Sequence, residues 1–275
     1  MSNPVFSNSP AFSEKAAQRQ AAKDRAAGVA VIPVPSAAQL NDHFALPDAT
    51  ATQMDRMSYE DTIVKTLVSF LVLVVGAVVG WVFPVLLIPA LIVGLVLGLV
   101  NSFKREPVPA LILAYCLAEG VLVGAVSAFY NQQFNGIIPA AVFGTLGVVG
   151  VTLALFASGK VRASKRATKI FLVAIVGYLA YSLVNVGLMA FGVTDSVHGL
   201  GDVKIFGIPL GIPLGILVVL MAAYSLVVDF DFVQRGVQTG QPRRYGWTAA
   251  FGIVVTVVWL YLEILRLLSY FMPRN

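Results

Sequence analysis

From about residue 62 onward the chain is a succession of seven apolar stretches, each close to the length of a membrane span. They lie at about 62–81, 83–100, 108–129, 137–157, 170–191, 208–229 and 247–271. A helix needs about 20 apolar residues to cross about 30 Å of hydrocarbon. The chain is therefore expected to be an all-α polytopic membrane protein with seven transmembrane helices. Transmembrane barrels show alternating segments of about ten residues, and these stretches do not alternate. Composition agrees, with 58% hydrophobic and 12% charged residues, where a soluble domain carries about 25% charged residues. Only Trp81 to Pro84 separate the first two stretches, which makes them a tight hairpin or one broken pair.

Residues 1–58 contain no apolar run of helix length and are rich in Ala, Ser, Asn and Pro. They are read as a disordered polar tail, and residues 59–275 as the seven-helix domain. The tail lacks the basic start and apolar core of a signal peptide. Basic residues cluster in alternate loops: Lys104 and Arg105; Lys160, Arg162, Lys165, Arg166 and Lys169; Arg235, Arg243 and Arg244. The intervening loops hold only Lys204, beside Asp195 and Asp202. That asymmetry places the basic loops and the N-terminus in the cytoplasm and, with seven spans, the C-terminus outside. The net charge of +5 follows from this topology and does not point to nucleic acid.

Several Gly pairs four apart, Gly76/Gly80, Gly94/Gly98, Gly120/Gly124 and Gly211/Gly215, suit close helix approach within the bundle. Pro209 and Pro213 are expected to kink the start of the sixth helix. No longer repeat suggests an inverted-repeat transporter. Function is sought among the ionisable groups inside the spans, which are costly there and usually face the interior or water. These are Glu119 in the third, Asp229 and Asp231 at the end of the sixth, and Glu263 and Arg266 in the seventh. Glu119 lies near mid-bilayer, roughly 15–18 Å from the basic end of its helix. It is either neutral or in contact with water or a partner helix. Glu263 and Arg266 are three apart and share a face. Asp229 and Asp231 point about 200° apart around a helix, and residue position alone puts Asp229 at the membrane interface.

Three stretches, KREPVPALILAYCLAEG (104–120), SLVVDF (225–230) and WLYLEILRLL (259–268), together resemble the Bax inhibitor-like (transmembrane Bax-inhibitor-motif) family in its bacterial branch. The resemblance implies a last helix central in the bundle and an acid pair between helices 6 and 7 that shares protons. It further implies a pH-sensitive leak of cations, calcium above all, in the bacterial plasma membrane. Carried over by position, the pair is Asp229 and Glu263, which would sense protons, gate the leak and bind Ca²⁺ transiently. Arg105 or Lys104 would latch onto the pair. Two carboxylates in contact cannot both ionise cheaply and titrate as a unit. The family more often has Asp where this chain has Glu263, and Arg266 competes for it. Helix lengths place Glu263 about 24 Å along helix 7, so the pair meets only if helix 6 extends or helix 7 starts below the membrane surface. Otherwise Asp229 pairs with Arg105, and Glu263 with Arg266 or Glu119. Asp231 is expected to be solvated.

The competing expectation is a non-conducting membrane regulator acting through protein partners such as a membrane protease. A proton-coupled transporter is disfavoured because the midplane has no polar cluster. An enzyme is not expected, and no cofactor is implied. His43 and His198 lie in the tail and a loop, away from any metal-like spacing. The lone Cys116 has no nearby His, and no Ser-His-Asp set can be assembled from the sequence.

Overall fold

The computed structural model describes residues 54–194 and 198–273, with positions 22, 23 and 26 besides. The expected tail, apart from its last residues 54–58, lies outside the described residues. From residue 59 on, the described residues form seven long helices in succession: α1 Tyr59–Val82, α2 Leu87–Phe103, α3 Pro109–Gln133, α4 Ile137–Ala157, α5 Lys165–Ala190, α6 Gly211–Gln238 and α7 Tyr245–Leu268. All seven are long and apolar enough to cross a membrane, α2 together with the short 3-10 turn Pro84–Leu86 before it. The chain is an all-α polytopic membrane protein, and α7 is central, packed against α1, α3, α4 and α6.

Local chemistry sets the helix ends. Ser58 caps α1 by accepting from the Asp61 N–H at 3.2 Å, with Glu60 and Asp61 in the first turn. Pro109 opens α3, where a missing N–H costs nothing. Gly136, at φ 76°, makes the turn into α4. Between α5 and α6, β1 (Lys204–Ile205) and β2 (Ile208–Pro209) form a small antiparallel hairpin. The two prolines expected to kink helix 6 lie before it and in its first turn. Pro209 lies in β2, and Pro213 is in the first turn of α6, where backbone N–H groups have no intrahelical acceptor.

The glycine pairs serve different contacts. Gly76 and Gly80 of α1 interlock with Gly120 and Gly124 of α3. A Cβ at any of the four would overlap facing backbone, such as the Leu117, Val121, Leu73 and Ala77 carbonyls. Gly94 and Gly98 instead leave room for the Glu119 carboxyl and the Tyr115 ring. Gly211 and Gly215 leave room for Tyr270 and Leu267. At the other extreme, α5 has no buried residue and packs on α6 and, equally, on the 3-10 turn Gly199–Asp202. Its Ile170, Val173, Val176, Leu179 and Leu183 are exposed, a surface suited to lipid.

Candidate functional site

One end of the bundle gathers Lys104, Arg105, Arg162, Arg235, Arg243 and Arg244 and is called the basic end below. Here α6 does run on past Asp229 as far as Gln238. Asp229 therefore sits inside a helix and not at its end. Its neighbour across the interface is the first half of α7, where Thr256 donates its hydroxyl to Asp229 Oδ2 at 2.7 Å. Ser225, one turn earlier on α6, lies 3.2 Å from the same Thr256 hydroxyl. Gly252 completes the seat, since a Cβ there would stand 3.1 Å from Asp229 Oδ1. Thr256 is the one hydrogen-bond donor to Asp229 among the described residues.

The other side of Asp229 faces open space. A cavity of about 860 Å³ extends from it to the basic end, where Lys104, Arg105, Arg235 and Tyr245 line the wall. A second cleft, of about 510 Å³, continues from Asp229 between α2, α3 and α7 to Glu119. The two spaces share Ser102, Asp229, Phe251 and Gly252. Arg105 thus shares a cavity with Asp229 without an ion pair between them. Asp231, expected to be solvated, is instead mostly covered and paired with Arg235 on its own helix.

Glu263 has a different setting. It is 4% exposed. One oxygen is held by the Arg266 guanidinium, and the other accepts from Tyr178 of α5 at 2.9 Å. Thr256, which holds Asp229, precedes Glu263 by about two turns, or about 10 Å of rise. The fully buried Ala222, Leu226 and Leu260 form an apolar layer at the α6–α7 contact. Asp229 and Glu263 therefore do not share a hydrogen bond, and each is engaged by its own partners. No group of three or more His, Cys, Asp or Glu is gathered as a metal set among the described residues.

The sequence reading missed Thr256, Ser225, Gly252 and Tyr178. Ser225 and Asp229 are four apart and share a helix face, as do Thr256 and Gly252, so their spacing held a signal. Tyr178 held none, because its contact depends on how α5 docks. Residues 54–58, expected as the end of the tail, lie against the α6–α7 loop. The Met57 N–H donates to Gln241 O at 2.7 Å, and Met57 is 1% exposed among Val233, Ala249 and Gly236. Asp61 binds Lys65 and Arg243, and Lys65 donates to the Arg243 carbonyl at 2.7 Å. The Asp61 carboxylate also raises the pKa of Arg243, through its hydrogen bond first and its charge second.

At the opposite end His198 bridges Asp202 at 3.0 Å and Ser269 at 2.8 Å and stacks on Tyr270. The order Asp-His-Ser is that of a nucleophilic triad. Ser269, however, follows the last turn of α7, where the free backbone groups are carbonyls and not the N–H donors an oxyanion needs. Its hydroxyl also donates to Arg266 O at 2.7 Å. The set ties the loop to α7. Asn185 of α5 joins it through Leu200 N at 2.7 Å.

No curated protein matches the chain. The family model described as Bax inhibitor 1 like matches residues 3–273, nearly the whole length. The chain belongs to the Bax inhibitor 1 like family.

Proposed function

We propose that the protein is a pH-sensitive cation leak, with calcium its foremost ion, controlled by carboxyl groups inside the membrane. The observation that carries this reading is Asp229. Among the described residues it is held by one hydroxyl, with no cation bonded to it, at the end of a cavity open to the basic end. On this reading the basic end faces the cytoplasm of a bacterial plasma membrane. The N-terminus is on the same side, and water reaches Asp229 from within the cell. Proton supply through the cavity sets its state. A protonated Asp229 holds α6 against α7 through Thr256. An ionised Asp229 offers oxygen to a divalent cation. Lys104 and Arg105 at the mouth are placed to pair with it when it is charged. The chain then needs no enzymatic group and no cofactor.

The test is Ca²⁺ flux into liposomes holding the purified protein between about pH 6 and 8, beside Asp229→Asn and Glu263→Gln. A pH-dependent flux that Asp229→Asn flattens is expected. Flux no greater than that of empty liposomes overturns the leak. The remaining reading would then be a regulator acting through protein partners, such as a membrane protease.

A further inference from the structure

We infer that Glu119 of α3 is the second carboxyl group of the Asp229 site, so that protons and cations arriving from the basic end meet Asp229 and Glu119 as a coupled pair across one cleft. The inference rests on the reading of Asp229 as a proton-sensing group and replaces the helix 7 acid as its partner. Three observations carry it. First, Asp229 and Glu119 line the same cleft of about 510 Å³, and that cleft meets the larger cavity at Asp229. Water occupies about 30 Å³ in the liquid, so the cleft has room for bridging molecules that couple two polar groups beyond direct contact.

Second, the wall is cut back at each acid. A Cβ at Gly252 would stand 3.1 Å from Asp229 Oδ1, and one at Gly94 would stand 3.0 Å from Glu119 Oε2. Glycine at both positions leaves space beside the carboxyl oxygens that any other side chain would fill. Third, Glu263 is already engaged by Arg266 and Tyr178.

The charges around the pair are few. From α2 the cleft receives Leu91, Gly94, Leu95 and Gly98, none of them titratable. From α3 it receives Tyr115 beside Glu119. From α7 it receives Phe251, Gly252 and Thr256, again without charge. Beyond Asp229, the basic groups are Lys104, Arg105 and Arg235 on the larger cavity, with Arg235 paired to Asp231. No cation lines the cleft itself among the described residues. Two acids facing one such space are coupled through the water between them.

The test reads proton occupancy and not flux. A hydrophobic carbodiimide adds to protonated carboxyl groups, and mass spectrometry of peptides gives the labelled fraction at Glu119 against pH. The reconstituted full chain, Asp229→Asn and Glu263→Gln are compared, after each has been shown to keep its helix content and melting behaviour. Glu119→Asp serves as the conservative variant. Coupling predicts that Asp229→Asn moves the labelling midpoint of Glu119 by about one pH unit, while Glu263→Gln leaves it in place. Labelling of the acid in Glu119→Asp should respond to Asp229→Asn in the same way. A midpoint indifferent to Asp229→Asn overturns the inference. So does one that moves as far with Glu263→Gln, or the absence of labelling at Glu119 at every pH. Flux assays with Glu119→Gln then add the functional arm. If the wild type passes no ions, the leak fails while the labelling still decides the coupling.

Discussion

Asp229 and Glu263 are both acids of the α6–α7 contact, in the same core, and the fold treats them in opposite ways. Glu263 is closed in, with a guanidinium on one oxygen and a phenol on the other. Asp229 has one threonine hydroxyl and an open cavity on its far side. The partners differ in kind as well as in number. A buried acid with a fixed cation is expensive to disturb, because removing either member strands the other's charge. An acid held by a neutral hydroxyl beside a solvent path is inexpensive to protonate or ionise. On the proposed reading, the contrast gives architecture to one and change to the other. Two acids on adjacent helices of one core therefore have separate settings.

The largest expected effect comes from breaking the closed half. Arg266→Ala leaves Glu263 buried without its cation and should cost about 3–5 kcal/mol, read as a lowered melting temperature in detergent micelles. The double change Glu263→Leu with Arg266→Leu should recover most of that loss, and a double variant no better than the single one would contradict the account. Tyr178→Phe removes one hydroxyl and should cost about 1–2 kcal/mol. It should also free α5, which buries no residue of its own, so faster hydrogen exchange in α5 is the companion readout. On the open side, Thr256→Val removes the donor to Asp229, and cavity water can replace it. A stability loss of about 1 kcal/mol or less is expected, with a displaced pH response. The smallest effect on stability belongs to Asp229→Asn, within about 1 kcal/mol of the wild type, although it should do most to flatten flux against pH. Were Asp229→Asn to destabilise the protein as much as Arg266→Ala, the two halves would not differ in the proposed way.

Much of the fold was legible because the bilayer demands long apolar helices, and their lengths and separators stand in the sequence. The Glu263–Arg266 pair was legible for a similar reason, since a spacing of three on one helix is local geometry. The setting of Asp229 was not. Its placement at a helix end followed from the apolar pattern, which stops where polar residues begin, whereas α6 continues through Phe232 and Arg235 to Gln238. A helix that leaves the hydrocarbon still has its backbone to satisfy, so polarity does not mark its end. Thr256 and Gly252 carry no charge and offered nothing to a search for ionisable groups.

What the sequence by itself determined is the class of structure and the inventory of costly groups. Seven spans, the side-to-side charge asymmetry and the few intramembrane acids all follow from composition along a line. Which acid finds a cavity, and which two acids line one cleft, were decided by tertiary structure alone. The physical reason is that a carboxyl group responds to whatever lies within a few ångströms of it. Those neighbours, Arg266 apart, come from other helices or from the small residues that let those helices approach.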